Sequence, residues 1–185
     1  MTEEELDQAR SHWSHRGSRR PDWAIEPGPG EESVWDYPRP PRLEDDSRLV
    51  RVVWGNTVVA ESRHTLRILE TASPPSFYIP PQDVRMDLLS RARGASLCEW
   101  KGSATYWSLC IDGHELPNIA WSYEQPLADF TRILGYLGFY PSKLECHVDG
   151  HRVAPQSGDF YGGWVTPEVV GPFKGEPGTG GWSDS

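Results

Sequence analysis

The segment with the clearest capacity for chemistry is residues 98–107, which read C-E-W-K-G-S-A-T-Y-W. Two runs of alternating bulky residues meet at a glycine, a pattern typical of an aromatic-rich β-hairpin. Lys101 follows Trp100 next to the turn, and Tyr106 and Trp107 stand just beyond it. An ammonium group held among aromatic rings can bind a small molecule through cation–π contacts and hydrogen bonds. The same residues also fit an ordinary sheet whose lysine reaches water.

The polar anchors predicted for such a site are Lys101 and Tyr106, because side chains near a hairpin turn come within contact distance across paired strands. Their amine and phenol could hold a carboxylate, a phosphate or an imide carbonyl. Trp121 and Tyr123 alternate along a predicted strand, so they would share one sheet face and, with Trp107, could line an aromatic cleft. Core packing accounts for these rings equally well, since large apolar side chains are commonly buried.

A loop around a Pro-Pro bend supplies two more candidates. Tyr78 and Asp83 flank this bend, and a hydrogen bond between the phenol and the carboxylate would hold the loop in place. The predicted ligand-binding set is therefore Tyr78, Asp83, Trp100, Lys101, Tyr106, Trp107, Trp121 and Tyr123.

Nucleophilic and metal chemistry have weaker support in the pattern. Cys98 is the cysteine best placed for catalysis, but on a strand it would project away from Lys101, so a buried structural cysteine is the favoured interpretation. The three cysteines form no C-x-x-C pair, which predicts neither a zinc site nor a redox pair. Asp83 and Asp87 are the best metal candidates, since they are four apart on a predicted helix, although a solvated helix face explains them better. No metal and no cofactor are predicted.

Composition and charge exclude several classes of partner. The chain has 185 residues, enough for one well-buried domain, and its nine Trp, seven Tyr and five Phe must supply much of the core. The formal net charge of −9 argues against a nucleic-acid partner, because such surfaces need a basic footprint. No apolar run approaches a membrane span and the N-terminus does not read as a signal peptide, so we expect a cytoplasmic protein without a membrane partner.

Three regions are predicted along the chain. Residues 1–47 form a Pro/Gly-rich arm that isolated aromatic residues hold against the core. Residues 48–155 form the core domain, and residues 156–185 form a Gly/Pro/Trp-rich tail packed on that core. Many short strands with one or two helices predict a mainly β (α+β) fold.

The predicted helices are few and short. Thr2 and Glu5 have the spacing of a capping box, which predicts a helix near the N-terminus. A brief helix is predicted at 82–89. An amphipathic helix is predicted at 126–137, where apolar residues recur at spacings of three and four.

Four motifs in order resemble a known family, the domain of unknown function 427. They read S-P-P-S-F-Y-I-P-P-Q-D-V-R (73–85), C-E-W-K-G-S-A-T-Y-W (98–107), A-W-S-Y (120–123) and G-F-Y (138–140). The resemblance covers roughly residues 50–150, and the flanks are similar to longer bacterial members. It implies a β-tent-like fold, in which two small antiparallel sheets meet at an angle, as in B-type methionine sulfoxide reductases and the thalidomide-binding domain of cereblon. Several relatives carry paired C-x-x-C zinc ligands, which this chain lacks.

Some catalogues place this family under a nucleotidyltransferase heading. Nucleotidyl transfer needs carboxylates that hold two metal ions about the phosphates, and the chain has no Asp-x-Asp element. The glycine-rich run at 171–181 lacks the Gly-Lys-Ser/Thr ending of a phosphate-binding loop. The residues therefore do not favour that activity.

Three functions remain open at this stage. The first is a small-molecule-binding domain with an aromatic pocket. The second is an enzyme that acts on a small metabolite through the same pocket, with Lys101 as an acid or electrostatic group and Glu70, Asp83 or Tyr106 moving protons. The third is an interaction protein whose proline-rich segment 37–41 docks on a protein partner.

Overall fold

Most of the chain forms β-strands in the computed structural model, which describes residues 2–158 and 160–176. The described residues contain one α-helix, α1 (Glu3–Ser11), several short 3₁₀ helices and fifteen strands. The strands are β1 (Glu32–Ser33), β2 (Arg42–Asp46), β3 (Val50–Trp54), β4 (Thr57–Ser62), β5 (Thr65–Glu70), β6 (Ser73–Ile79), β7 (Leu89–Cys98), β8 (Gly102–Ile111), β9 (His114–Tyr123), β10 (Leu137–Phe139), β11 (Glu145–Val148), β12 (His151–Arg152), β13 (Ala154–Pro155), β14 (Trp164–Val165) and β15 (Val169–Val170). The predicted mainly β fold is confirmed.

Two antiparallel sheets form the body of the protein. Among the described residues, seven strands form the larger sheet in the order β2-β5-β6-β10-β9-β8-β7, and four form the smaller in the order β12-β11-β3-β4. Strands β7, β8 and β9 follow one another directly as two hairpins of ten-residue strands. Strand β10 lies between β6 and β9, which are distant in sequence.

The main core lies between the two sheets. Phe77 and Ile79 of β6 and Phe139 of β10 pack with Val50 and Val52 of β3, and all five are fully buried. Each such side chain stabilises the fold by roughly 1.5–3 kcal/mol relative to an exposed one. Because residues alternate along a strand, those between them point to the other face of the larger sheet.

The N-terminal arm is held by its aromatic residues and ends as part of the larger sheet. The predicted capping box is present, since the Thr2 hydroxyl accepts from the Glu5 amide at 3.3 Å and the Glu5 carboxylate accepts from the Thr2 amide at 2.7 Å. Farther along, Trp35 and Tyr37 are buried. Strand β2 then pairs with β5, so residues 42–46 belong to the sheet. No helix among residues 2–158 and 160–176 is long and apolar enough to cross a membrane.

The C-terminal tail returns to the arm and the core. Strand β15 pairs in parallel with β1, and the Trp35 indole donates to the Pro172 carbonyl at 2.9 Å. Trp164 is fully buried and donates to the Phe139 carbonyl at 2.9 Å. The end of the tail, including the last part of the glycine-rich run 171–181, lies outside the described residues.

The two segments predicted as helices inside the core domain form short 3₁₀ helices and no α-helix. At 126–137 a short 3₁₀ helix (Ala128–Ile133) bends at Phe130, and the chain then enters β10. Gly135 has φ +72°, which ends the helical path, and pairing of β10 with β6 and β9 outweighs the helical spacing of the apolar residues. At 82–89 two 3₁₀ turns, Pro81–Asp83 and Met86–Leu88, are separated by Arg85, whose φ and ψ are not helical.

Candidate ligand-binding site

The face of the larger sheet that points away from the main core carries a row of aromatic residues. Tyr78 on β6 lies opposite Gly138 on β10, which lies opposite Trp121 on β9, which in turn lies opposite Tyr106 on β8. Residues opposite each other on paired strands point to the same face. Four adjacent strands therefore place three aromatic side chains and one glycine side by side.

The glycine in this row lets Trp121 reach across a strand. The Trp121 indole donates to the Tyr78 hydroxyl at 2.9 Å, with β10 between their two strands. A Cβ on Gly138 would lie 2.6 Å from Cε2 of this indole, and one on Gly162 would lie 2.6 Å from its Cζ3. Trp121 is thus held between two glycines, with the Tyr140 ring centroid 4.6 Å from its own.

A cavity of about 240 Å³ opens above this aromatic row. Six of the eight sequence-predicted ligand residues line it, together with residues from both ends of the chain. The six are Tyr78, Trp100, Lys101, Tyr106, Trp121 and Tyr123. The sequence therefore identified most of one wall, which comes from strands β6, β8 and β9 and the turn before β8.

Lys101 is the central charge of this wall. It is half-buried, and no hydrogen bond or ion pair joins its Nζ to another described residue. Burial by itself lowers the pKa of Lys101, but attraction to the ionised forms of its acidic neighbours, Cys98, Tyr123, Tyr78 and Glu70, outweighs this and raises the pKa well above its ordinary value. The side chain is therefore an ammonium at neutral pH.

The phenols beside Lys101 are neutral. Burial raises the pKa of both Tyr78 and Tyr123, while the charge of Lys101 opposes that shift without reversing it. Both side chains are almost fully buried. Each keeps its O–H at neutral pH, so the wall combines one cation with hydroxyl groups that can donate hydrogen bonds.

The two carboxylates that line the cavity have partners other than Lys101. Glu70 forms an ion pair with the buried guanidinium of Arg39, with 3.2 Å between Oε1 and Nη2. Glu99 accepts from the Trp13 indole at 2.9 Å. Neither carboxylate is paired with Lys101, so the charge of Lys101 stays available to a ligand.

Segments from both flanks of the core domain line the rest of the cavity. The centre of the Trp13 ring, from the arm, lies 4.0 Å from the Arg39 guanidinium carbon and 4.1 Å from Lys174 Nζ. Lys174, from the tail, also lies 4.7 Å from the centre of the Tyr161 ring. These cation–π contacts join the arm to the tail beside the cavity.

The comparison with known families identifies the central part of this chain. The profile of the family described as Domain of unknown function (DUF427) matches residues 42–150, more than half of the sequence. The chain belongs to the DUF427 family. This confirms the resemblance seen in the four motifs. A comparison with curated proteins finds no similar sequence.

The DUF427 match covers one wall of the cavity but not the other. The aromatic row and Lys101 fall within residues 42–150. Trp13, Tyr161, Gly162 and Lys174 fall outside that range and form part of the closure. In this DUF427 protein the candidate site is thus built jointly by the family domain and its two flanks.

Two of the predicted residues do not line the cavity. Trp107 follows Tyr106 on β8 and so points to the opposite face, where its indole donates to Ser122 at 2.9 Å and packs against the main core. Asp83 accepts from the Ser62 hydroxyl at 2.6 Å, so the predicted Tyr78–Asp83 hydrogen bond is wrong. Tyr78 and Asp83 are near in sequence, but Tyr78 points to the cavity, whereas Asp83 lies in the 3₁₀ turn after β6 and does not line it.

The predicted hairpin turn is displaced. Cys98 pairs with Gly102, so Glu99, Trp100 and Lys101 form the turn itself and do not alternate along a strand. Gly102 has φ +99°, a conformation that glycine adopts without strain. As a result Cys98, Trp100 and Lys101 all line the same cavity, although strict alternation would separate them.

Sequence reasoning missed the lining residues that come from the flanks and from β10. Trp13, Tyr161 and Lys174 lie in segments without regular periodicity, so no local pattern points to them. Tyr140 follows directly after β10, and the motif G-F-Y contains both it and Gly138. That motif was a signal that could have placed Tyr140 beside the aromatic row.

The cysteines and carboxylates of this DUF427 protein have separate environments. Cys146 is buried, Cys110 is exposed, and Cys98 is intermediate and lines the cavity. Burial raises the pKa of the Cys146 thiol. Asp87 forms an ion pair with Arg85 at 2.6 Å on a different 3₁₀ turn from Asp83, so the predicted shared helix face is wrong. In the described parts of the chain, no group of three His, Cys, Asp or Glu side chains is arranged to hold a metal ion.

Proposed function

We propose that this protein binds a small organic anion in the cavity above the larger sheet. The observation that supports this most directly is Lys101, a cation among aromatic rings that forms no ion pair with a carboxylate of the described residues. An ammonium in such a setting attracts an anionic group, and the neighbouring Tyr78 and Tyr123 hydroxyls can donate to the same group. The rest of the ligand lies against Trp121 and Trp100.

The size of the cavity restricts the ligand. Its volume of about 240 Å³ is below the roughly 300–1,000 Å³ of pockets for drug-sized molecules. Flat aromatic walls favour a planar ligand, since stacked and edge-to-face ring contacts are favourable beyond simple burial. The proposed ligand class is therefore an acid built on one ring or on a chain of similar size.

Calorimetric titration tests this proposal. The probes are benzoate, phenylacetate and phenyl phosphate, each titrated into wild type and into Lys101→Met, which keeps the length of the side chain and removes its charge. A charge-assisted hydrogen bond contributes about 1.5–3 kcal/mol, so affinity should fall about 10- to 100-fold in the variant. Lys143→Met makes the same change of charge outside the cavity and should bind like wild type.

Two results would overturn the proposal. One is that none of the three probes binds to wild type. The other is that Lys101→Met binds them as tightly as wild type does. Thermal melting of each variant shows whether a loss of binding reflects a loss of folding.

The enzyme hypothesis is supported by one further observation. Cys98 lines the same cavity as Lys101, at the end of the strand that leads into the Lys101 turn. We propose, as the second candidate, catalysis on a small metabolite at this thiol and ammonium. Incubation with a metabolite extract followed by mass spectrometry tests it. Consumption of a compound by wild type, and not by Cys98→Ser or Lys101→Met, would support the enzyme over a binding protein.

Three broader expectations also stand as proposals. The two main sheets support a β-tent-like arrangement, which a measurement of the angle between the sheets in an experimental structure would test. A cytoplasmic location is proposed, in keeping with the three cysteines, which form no disulfide with one another. A protein partner for the proline-rich segment at 37–41 would have to recognise it in its packed state, since Tyr37 and Arg39 are buried.

A further inference from the structure

Lysine and arginine have different roles in this protein. The chain contains only three lysines, Lys101, Lys143 and Lys174. Within the described residues, eleven arginines form ion pairs with carboxylates and no lysine does. Lys143 instead donates to the backbone carbonyls of Pro117 and Asn118. The other two lysines both line the same cavity.

The cavity therefore contains two ammonium groups, neither of which forms an ion pair with a carboxylate among the described residues. Its acidic residues are Glu70, which pairs with Arg39, and Glu99, which accepts from Trp13. Lys174 has no ion pair with a described residue, and its ammonium lies against the faces of Trp13 and Tyr161. A positive pair of this kind is notable in a chain with a formal net charge of −9.

The two lysines are attached to distant parts of the larger sheet. Lys101 lies in the turn before β8, where the Leu127 amide donates to its carbonyl at 3.1 Å. The backbone amide of Lys174 donates to the Ala72 carbonyl at 2.7 Å, next to the start of β6. Two strands separate β6 from β8, which corresponds to roughly 14 Å at the usual spacing between strands. The ammonium groups thus approach the cavity from different sides.

We infer that the ligand is an organic dianion with two separated acidic groups, one bound by Lys101 and the other by Lys174. This inference rests on the proposed function and specifies its substrate class. Lys101 binds the first group beside the phenols of the sheet. Lys174 binds the second from the tail, and Trp13 and Tyr161 position its ammonium through their ring faces.

The competing explanation is that Lys174 is a structural clamp whose charge is satisfied by the two rings. A clamp and a ligand-binding group respond differently to substitution. Removal of the charge from a clamp lowers the free energy of unfolding and weakens the binding of every probe to the same extent. Removal of the charge from a ligand-binding group lowers the affinity for two-acid probes more than that for one-acid probes.

Calorimetry with matched probes distinguishes these explanations. Benzoate carries one carboxylate, and isophthalate and terephthalate carry two at different separations on the same ring. All three are titrated at one pH and one ionic strength into wild type, Lys174→Met, Lys174→Arg and the control Lys143→Met. Wild type should bind at least one dicarboxylate ten-fold or more tightly than benzoate. Lys174→Met should lose that preference, and Lys174→Arg and Lys143→Met should keep it.

The inference is overturned if wild type binds benzoate as tightly as both dicarboxylates, or if Lys174→Met keeps the preference. In that case the proposed function still stands, provided that benzoate binds and that Lys101→Met weakens it. Absence of binding by all three probes instead overturns both. Thermal melting confirms that each variant is folded, and Lys174→Arg separates loss of charge from loss of packing.

Discussion

Replacement of Gly138 by alanine provides a sharp test of how the aromatic row is built. The backbone of Gly138 does not adopt the left-handed conformation, so alanine is not excluded by its φ angle. The added Cβ would lie 2.6 Å from Cε2 and 2.9 Å from Cη2 of Trp121. Because Gly138 pairs with strands on both sides, its backbone cannot shift to relieve this overlap, and the indole must move.

The expected loss of stability follows from two contributions. Overpacking of a buried site costs typically 1–3 kcal/mol. Displacement of the indole also breaks the 2.9 Å hydrogen bond from Trp121 to the Tyr78 hydroxyl, which contributes about 0.5–1.5 kcal/mol. We therefore expect Gly138→Ala to lower the free energy of unfolding by about 2–4 kcal/mol, as measured by urea denaturation followed by circular dichroism.

A matched control and a second substitution make this prediction specific. In Gly28→Ala the nearest atom to the new Cβ is a flexible Glu31 carboxylate oxygen at 3.4 Å, so stability should change by less than about 0.5 kcal/mol. Trp121→Phe removes the overlapping ring atoms, so it should make Gly138→Ala much less costly, with a coupling of at least about 1 kcal/mol. A Gly138→Ala variant as stable as wild type, or strictly additive effects, would refute this account of the row.

Three further predictions address other parts of the protein. Burial by itself would raise the pKa of Asp46, but hydrogen bonds from Arg48 outweigh burial, and the net pKa lies below its ordinary value. The stabilisation that Asp46 gives the fold is therefore fully present above its unfolded pKa of about 3.9, and it is lost as the pH falls from that value through the lower folded pKa. Urea denaturation from pH 7 to pH 3 should show this loss, and Arg48→Met should reduce it. Iodoacetamide should alkylate exposed Cys110 in the native protein and Cys146 only after unfolding, as read by peptide mass spectrometry. Deletion of residues 1–47 should abolish cooperative unfolding because it removes β2, whereas deletion of helix α1 alone, which buries no residue, should leave the melting temperature nearly unchanged.

The sequence predicted those cavity residues whose orientation follows from alternation along a strand. The run Phe77-Tyr78-Ile79 alternates, so one face enters the core and Tyr78 faces the other side. The same alternation places Trp121 and Tyr123 together. It also explains why Trp107 does not line this cavity, since adjacent Tyr106 and Trp107 cannot share a face.

Helices were predicted less well than strands. The apolar residues at 126–137 have helical spacing, yet the segment forms a 3₁₀ helix followed by β10. Insertion of β10 between β6 and β9 satisfies backbone groups of both neighbouring strands. These backbone hydrogen bonds depend on β6 and β9, which lie outside the segment. The periodicity of residues 126–137 therefore could not predict the strand.

The sequence by itself determined the mainly β class, the capping box of α1, the family and most residues of one cavity wall. Only the tertiary structure showed that Trp13 and Lys174, from the two flanks of the core, both line that cavity, with Lys174 Nζ 4.1 Å from the centre of the Trp13 ring. It also revealed that Gly138 makes room for the Trp121 indole. The physical reason is that periodicity records which face of an element is buried, whereas contacts between distant segments depend on how the sheets and termini pack together.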